Sequence, residues 1–240
     1  MDEIQNMLFC IQNLDNVYPF YMENTTIHVI DFEGSRASGI IEYGVVTLLG
    51  QSIESTATRI CSPSGPLSDT DISTHGISEE RASIEVSFES EWEHFARLRQ
   101  TGPLCAHNAS VEDALLRSLW SYPRQSPDFT EATESIASWG PWMDTLHIYR
   151  QLYPRLESYK LQDLIDLFNL KPELEGKAKL YCPVNRMGFH CALYDALACA
   201  LLLLRLFSQP ELKKINIPWL LLQSTASAEK RANFLQQELL

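Results

Sequence analysis

Positive charge is scarce in this chain of 240 residues: 19 lysines and arginines stand against 31 aspartates and glutamates, a net charge of −12. An acidic surface repels a polyanion in bulk, which excludes broad, salt-driven tracking along a duplex and confines any nucleic-acid contact to a local site. Long hydrophobic runs are missing as well. The most apolar stretch, Ala196 to Leu204, follows Asp195 directly and falls far short of the ~20 residues that span a bilayer, so no membrane association is expected. The N-terminus carries Asp2 and Glu3 and lacks a basic start followed by an apolar stretch, which argues against a secretory signal and for a cytoplasmic location. The six cysteines, Cys10, Cys61, Cys105, Cys182, Cys191 and Cys199, include no C-x-x-C pair and read as reduced core residues. There is no glycine-rich phosphate loop, internal repeat or low-complexity tract.

What is present is enough apolar material, 45% of residues, for a sizeable core in one main domain. Residues 27 to 33 read as a strand, and Ile40 to Leu49 and Ser52 to Ile60 as two more, separated by little more than a turn. Three sequential strands imply an antiparallel meander. Helical spacing begins after Ile77, with Trp92, Phe95 and Leu98 recurring along 90 to 100, then a short strand at 103 to 107. Ser110 is placed as the cap of a helix running to Trp120, and Met143 to Leu152 and Leu161 to Leu170 have the spacing of further helices. The expected class is α/β: a mixed sheet, meander plus parallel strands, flanked by helices.

Residues 1–26 are assigned to an N-terminal extension, 27–207 to the main domain and 208–240 to a helical tail, with Ala228, Ala232, Leu235 and Leu239 lining one side of a helix over 227–240. The stretch Ser121 to Gly140 has no periodicity and is longer than an ordinary connection. It reads as a solvated insertion first, and as a functional loop or flap second.

Chemistry concentrates in three places. Asp31 and Glu33, at the end of an apolar strand, point to one face because strand side chains alternate. Two carboxylates emerging from a core repel each other, so either their pKa values rise or a cation neutralises them. All-oxygen ligation favours magnesium or manganese. In the second place, His107-Asn108-Ala109 turns into a helix bearing adjacent acids in its first turn. At 100° per residue the apolar side of that helix centres about 35° from Glu112 and roughly 135° from Asp113, which aims Glu112 at the sheet and leaves Asp113 to pair with Arg117. In the third, Asp195 faces an otherwise apolar helix and His190 stands five residues ahead of it, with a side-chain type suited to taking a proton from water near neutral pH.

Taken in order, Val29-Ile30-Asp31-Phe32-Glu33, Thr74-His75-Gly76-Ile77-Ser78, Ala106-His107-Asn108-Ala109, Met143-Asp144-Thr145-Leu146 and His190 with Asp195 resemble the DEDDh 3′-5′ exonuclease family. That group includes polymerase proofreading subunits, ribonuclease T and oligoribonuclease. The resemblance covers residues of about 27 to 207 and implies a ribonuclease H-like fold and phosphodiester hydrolysis from single-stranded DNA or RNA 3′ ends. It implies two divalent cations, Mg2+ or Mn2+, held by Asp31, Glu33, Glu112 and Asp195, with His190 as general base. The family usually has aspartate five residues after the histidine of His-Asn-Ala. Here that position is Glu112, so spacing and helical face choose Glu112 while side-chain type chooses Asp113. Gly34-Ser35-Arg36 replaces the family's usual Thr-Thr-Gly run. Gly34, Ser35, His107 and Asn108 are the implied substrate contacts, with Arg186 either a phosphate contact or a plain surface arginine. Relatives of the ribonuclease T type pair as dimers and others partner polymerases, so a homodimer or a polymerase partner is a further implication. A catalytically silent binding module is the alternative.

Overall fold

The computed structural model describes residues 25–130, 134–212 and 215–225. A five-stranded sheet runs in the order β3-β2-β1-β4-β7. Its meander is β1 (Thr26–Ser35), β2 (Gly39–Leu49) and β3 (Ser52–Ile60), all antiparallel. β4 (Leu104–Ala106) and β7 (Met143–Asp144) add parallel pairings on the far side of β1. A separate two-residue hairpin, β5 (Ser126–Pro127) with β6 (Ser135–Ile136), lies in the 121–140 stretch. The expected mixed sheet flanked by helices is therefore the observed one.

Alternation along β1 decides where the acids go. Ile27 and Val29 pack into one core, and Ile30 and Phe32 into the other. Asp31 and Glu33 follow the parity of Ile27 and Val29, and that face is crossed by α8 (Ala192–Phe207), whose residues are buried almost without exception. The helix lies very close to the sheet at Gly44, where a Cβ would come within 2.3 Å of the Ala192 carbonyl and the Leu193 nitrogen. Only glycine fits there. The opposite face is covered by α3 (Trp92–Thr101) and α4 (Ser110–Leu119), with Phe88, Phe95, Leu115, Leu116 and Trp139 filling the space. α1 (Asp69–His75) and α2 (Glu79–Ser83) follow the meander. α5 (Thr145–Leu152), α6 (Leu161–Leu167), α7 (Lys171–Tyr181) and α9 (Ile217–Ser224) complete the α8 side.

Several expectations are corrected. Met143 and Asp144 are strand, not helix; α5 begins at Thr145, capped by the Asp144 side chain, which accepts from the Leu146 amide at 2.9 Å. Ser110 is the first residue of α4 and not its cap, since the turn is made by Asn108 at a φ of 71° and the cap position falls on Ala109. α7 went unread because its lysines and glutamates give no apolar stripe; only Leu174 and Ala178 are buried.

The 121–140 stretch is not a freely solvated insertion. Arg99, fully buried, donates to the carbonyls of Pro127, Ser138, Trp139 and Gly140 and lies over the Phe129 ring. Nor does packing stop at residue 207. α9 is buried against α5 and β7, and Ser224 Oγ accepts the Asp144 amide at 2.8 Å. The expected helix over 227–240 and residues 1–24 of the N-terminal extension lie outside the described residues. The five described cysteines are free. No helix among the described residues is long and apolar enough to cross a membrane.

Candidate active site

The acids arrive from three elements: Asp31 and Glu33 from β1, Glu112 from the first turn of α4 and Asp195 from the first turn of α8. Glu33, Glu112 and Asp195 are buried, and Asp31 keeps partial access to solvent. Glu33, His190 and Asp195 each offer a ligand atom, and these atoms all lie within 4.8 Å of one another. Asp31 and Glu112 belong to the same electrostatic unit. Burial first, then the charges of Asp195, Glu112 and Glu33, hold the Asp31 carboxyl well above its ordinary range. Burial chiefly, with Asp195 next, pushes Glu33 up to about 8. Glu112 is also raised by burial to about 8, against the pull of its own backbone hydrogen bond. Asp195 rises to about 7, burial outweighing the amide of His190, which donates to its Oδ2 at 2.9 Å.

Helical phase separates Glu112 from its neighbour. Glu112 points to the sheet, 5% exposed, whereas Asp113 is bound to Arg117 at 2.7 Å and accepts from the Trp142 indole at 2.8 Å. Two buried oxygens of the cluster, Glu112 Oε2 and Asp195 Oδ1, have no hydrogen-bond partner. A buried carboxylate oxygen left bare costs free energy that a bound cation would recover. The donor set is therefore suited to hard divalent ions.

His190 sits exposed at the mouth, on a left-handed residue with φ of 65°. Arg186, expected at the surface or on a phosphate, does neither. Its guanidinium is buried, donating to Glu42 through Nε at 2.9 Å and also through Nη2, and to the carbonyls of His75 and His190. These bonds tie it to the turn that carries His190. Glu42 in turn accepts the Ala192 amide at 3.0 Å at the head of α8. Glu42 is the residue that sequence reasoning missed; a lone acid inside the apolar Gly39–Leu49 strand was the available signal. The Thr74 to Ser78 segment supplies the His75 carbonyl to the same network.

His107 is half-buried and fixed, Nε2 donating to the Tyr159 carbonyl and Nδ1 facing Thr145 Oγ1, each at 2.8 Å. Asn108 is exposed, its backbone amide held by Asp144 at 3.0 Å. Both line a cleft of about 650 Å3 that also reaches His190 and Asp195. Gly34 and Ser35 do not line it. They border a smaller cavity of about 350 Å3, with Arg36, Ser110, Val111, Ala114 and Leu115. Gly34 forms a bulge at φ of 132°, where a Cβ would lie 2.1 Å from the Gly39 carbonyl oxygen.

The raised pKa values set a pH dependence of stability. A carboxyl that keeps its proton to about pH 8 when folded, but loses it near 4.5 when unfolded, stabilises the fold at low pH, and that stability drains away as pH rises through the folded value. His28, lowered by burial to about 4, works in the opposite direction but only up to about pH 6.5. Between pH 6.5 and 8 the acids dominate. Protein freed of metal by EDTA should lose up to ~1.4 kcal/mol per pH unit per group in that window. Urea unfolding at four pH values measures it; Glu33→Gln with Glu112→Gln should flatten the slope, and stability rising across the window would contradict the assignment.

No protein-family model matches the chain. Among curated proteins it is similar to DNA polymerase III PolC-type of Halalkalibacterium halodurans, 28% identical over 167 residues, 70% of this chain and 10% of that protein. The Bacillus subtilis PolC-type polymerase is 26% identical over 199 residues, 81% of this chain and 12% of that one. The chain thus spans about a tenth of the length of the curated relatives it matches. Among solved structures it is similar to Exonuclease X in complex with 5′-overhanging duplex DNA, at TM-score 0.54 and 21% identity, covering 87% of this chain and 99% of that one. A 3′-exonuclease bound to a histone mRNA stem-loop gives TM-score 0.55 at 18% identity, covering 83% and 69%. Escherichia coli Exonuclease I with single-stranded DNA and zinc gives 0.56 at 16%, covering 79% and 42%. The chain has the ribonuclease H-like fold of these exonucleases, and its segments resemble, in order, motifs of the DEDDh exonuclease family.

Proposed function

We propose that the protein is a metal-dependent 3′-5′ exonuclease that hydrolyses the terminal phosphodiester of a single-stranded nucleic acid. The observation that carries this reading is the convergence of Asp31, Glu33, Glu112 and Asp195, with two bare buried oxygens, beside His190. These four acids would hold two divalent cations, Mg2+ or Mn2+. When bound, such ions supply Lewis acidity for the attacking water and charge compensation for the leaving 3′ oxygen.

The chain's own residues do the rest. His190, held by the Asp195 bond to its amide and by Arg186 on its carbonyl, takes the proton of the attacking water on an imidazole nitrogen. Asp144 fixes the amides of Asn108 and Ala109 at 3.0 Å each, which sets the cleft wall opposite His190. Gly34 and Ser35, at the border of the smaller cavity, would contact the terminal sugar. Exonuclease X is found with duplex DNA and the 3′-exonuclease with a histone mRNA stem-loop, and both DNA and RNA are proposed as substrates here.

End-labelled DNA and RNA oligomers of matched sequence, incubated with Mg2+ or Mn2+, test the reading. A ladder shortening from the 3′ end and abolished by EDTA is expected; full-length product under every divalent ion would leave the silent-module alternative.

A further inference from the structure

Several arginines of this acidic protein are already committed. Arg59, Arg81, Arg117, Arg124 and Arg186 are each paired with a carboxylate, and Arg99 is consumed by backbone carbonyls. The cleft beside His190 and Asp195 is lined by Arg150 and Lys160, and neither has a carboxylate partner among the described residues.

Both are exposed at the wall, and Arg150 is held in place. The Arg150 guanidinium lies over the Tyr159 ring, 5.5 Å from its centroid. That ring is anchored at both ends: the Tyr159 hydroxyl donates to the Tyr153 carbonyl at 2.6 Å, and its own carbonyl accepts from His107. Stacking on an aromatic face holds a guanidinium while leaving its N–H edges free for a planar anion. Lys160 is the cap residue of α6, with its amide on Ser158 Oγ at 3.3 Å. Two unneutralised cations in a wall that also contains Glu157 stand against the net charge of the molecule.

The two cavities differ in size and lining. The smaller, bordered by Gly34, Ser35, Arg36, Val111 and Leu115, has about half the volume and suits a single base and sugar. The larger contains the cations and opens past His190, which suits the remainder of a strand. We propose that Arg150 and Lys160 form a subsite for the backbone phosphates on the 5′ side of the bond being cut, so that the enzyme prefers oligomers over single-nucleotide esters. The inference rests on the exonuclease reading and adds the substrate's length to it. Local positive charge here offsets the bulk repulsion, because phosphate contacts act through counterion release at the contact itself.

The test compares two probes on the full chain: an octathymidylate, and the p-nitrophenyl ester of thymidine 5′-monophosphate, which has one phosphodiester and no upstream phosphate. In the double variant Arg150→Ala/Lys160→Ala the octamer-to-ester ratio of kcat/KM should fall about tenfold or more. The slope of log affinity against log salt for the octamer, read by anisotropy in Ca2+, should fall by about 1.4. Lys177→Ala/Lys179→Ala, on α7 outside the cleft, should leave the ratio as it is. A ratio unchanged in the cleft variant, with both probes slowed alike, would mean a merely structural role and overturn the subsite. Should the wild type cleave neither probe, the exonuclease reading fails by itself. The salt slope then decides the subsite: a fall in the double variant supports it, and an unchanged slope overturns it.

Discussion

Asp31→Asn is expected to abolish nucleotide release, while Asp113→Asn leaves most of it. Asp31 lies at the centre of the acid cluster, where the charges of Asp195, Glu112 and Glu33 all bear on it. An amide there removes an anionic ligand and places an N–H2 where a cation would sit, so a loss of at least a hundredfold is expected, the scale seen when one preorganised charge-stabilising group is removed. Asp113 is one residue from Glu112, about 100° around the helix, and its carboxylate is engaged by Arg117 and Trp142. Losing that half-exposed i,i+4 pair costs only about 0.5 kcal/mol of stability. Initial rates of oligomer shortening separate the two, and Glu112→Gln should resemble Asp31→Asn. If Asp113→Asn were the inactive variant, the ligand assignment would be reversed.

The second large effect is one of stability. Arg186 and Glu42 form a buried ion pair that ties together the end of α1, the His190 turn and the head of α8 across 144 positions of sequence. Removing one partner strands a charge out of water, so Glu42→Leu should cost about 3–5 kcal/mol in urea unfolding. Arg186→Met should cost as much, because Glu42 would then keep only the Ala192 amide. Replacing both together should recover a good part of the stability, since two apolar side chains need no partners. Activity should not recover with it, because nothing would then hold the His190 carbonyl. A single-variant cost below 1 kcal/mol would show that the pair is hydrated and the network loose.

That network explains what a sequence can and cannot disclose. Asp31, Glu33 and the orientation of Glu112 were legible because strand and helix periods are local, and a two-residue or 100° step fixes a side chain's direction. Asp195 was legible for the same reason, as the lone acid at the head of an apolar helix. Arg186 was misread because its partners lie in β2 and at the end of α1, and no local pattern couples positions 42, 75 and 186. The 121–140 stretch was misread for a like cause: Arg99 sits in another element and satisfies the loop's carbonyls from a distance. α9 was left outside the domain because Pro210 and Pro218 look like breaks, whereas Pro218 occupies the first turn of a helix, where its missing N–H costs nothing.

Calorimetric titration with Mn2+ at pH 7, in two buffers of different ionisation enthalpy, tests the central claim most directly. The account predicts saturable binding of two ions with net release of protons, since carboxyls raised to about 7 and 8 must ionise to become ligands, and loss of that binding in Asp31→Asn. Absence of saturable binding, or binding that Asp31→Asn leaves intact, would contradict it.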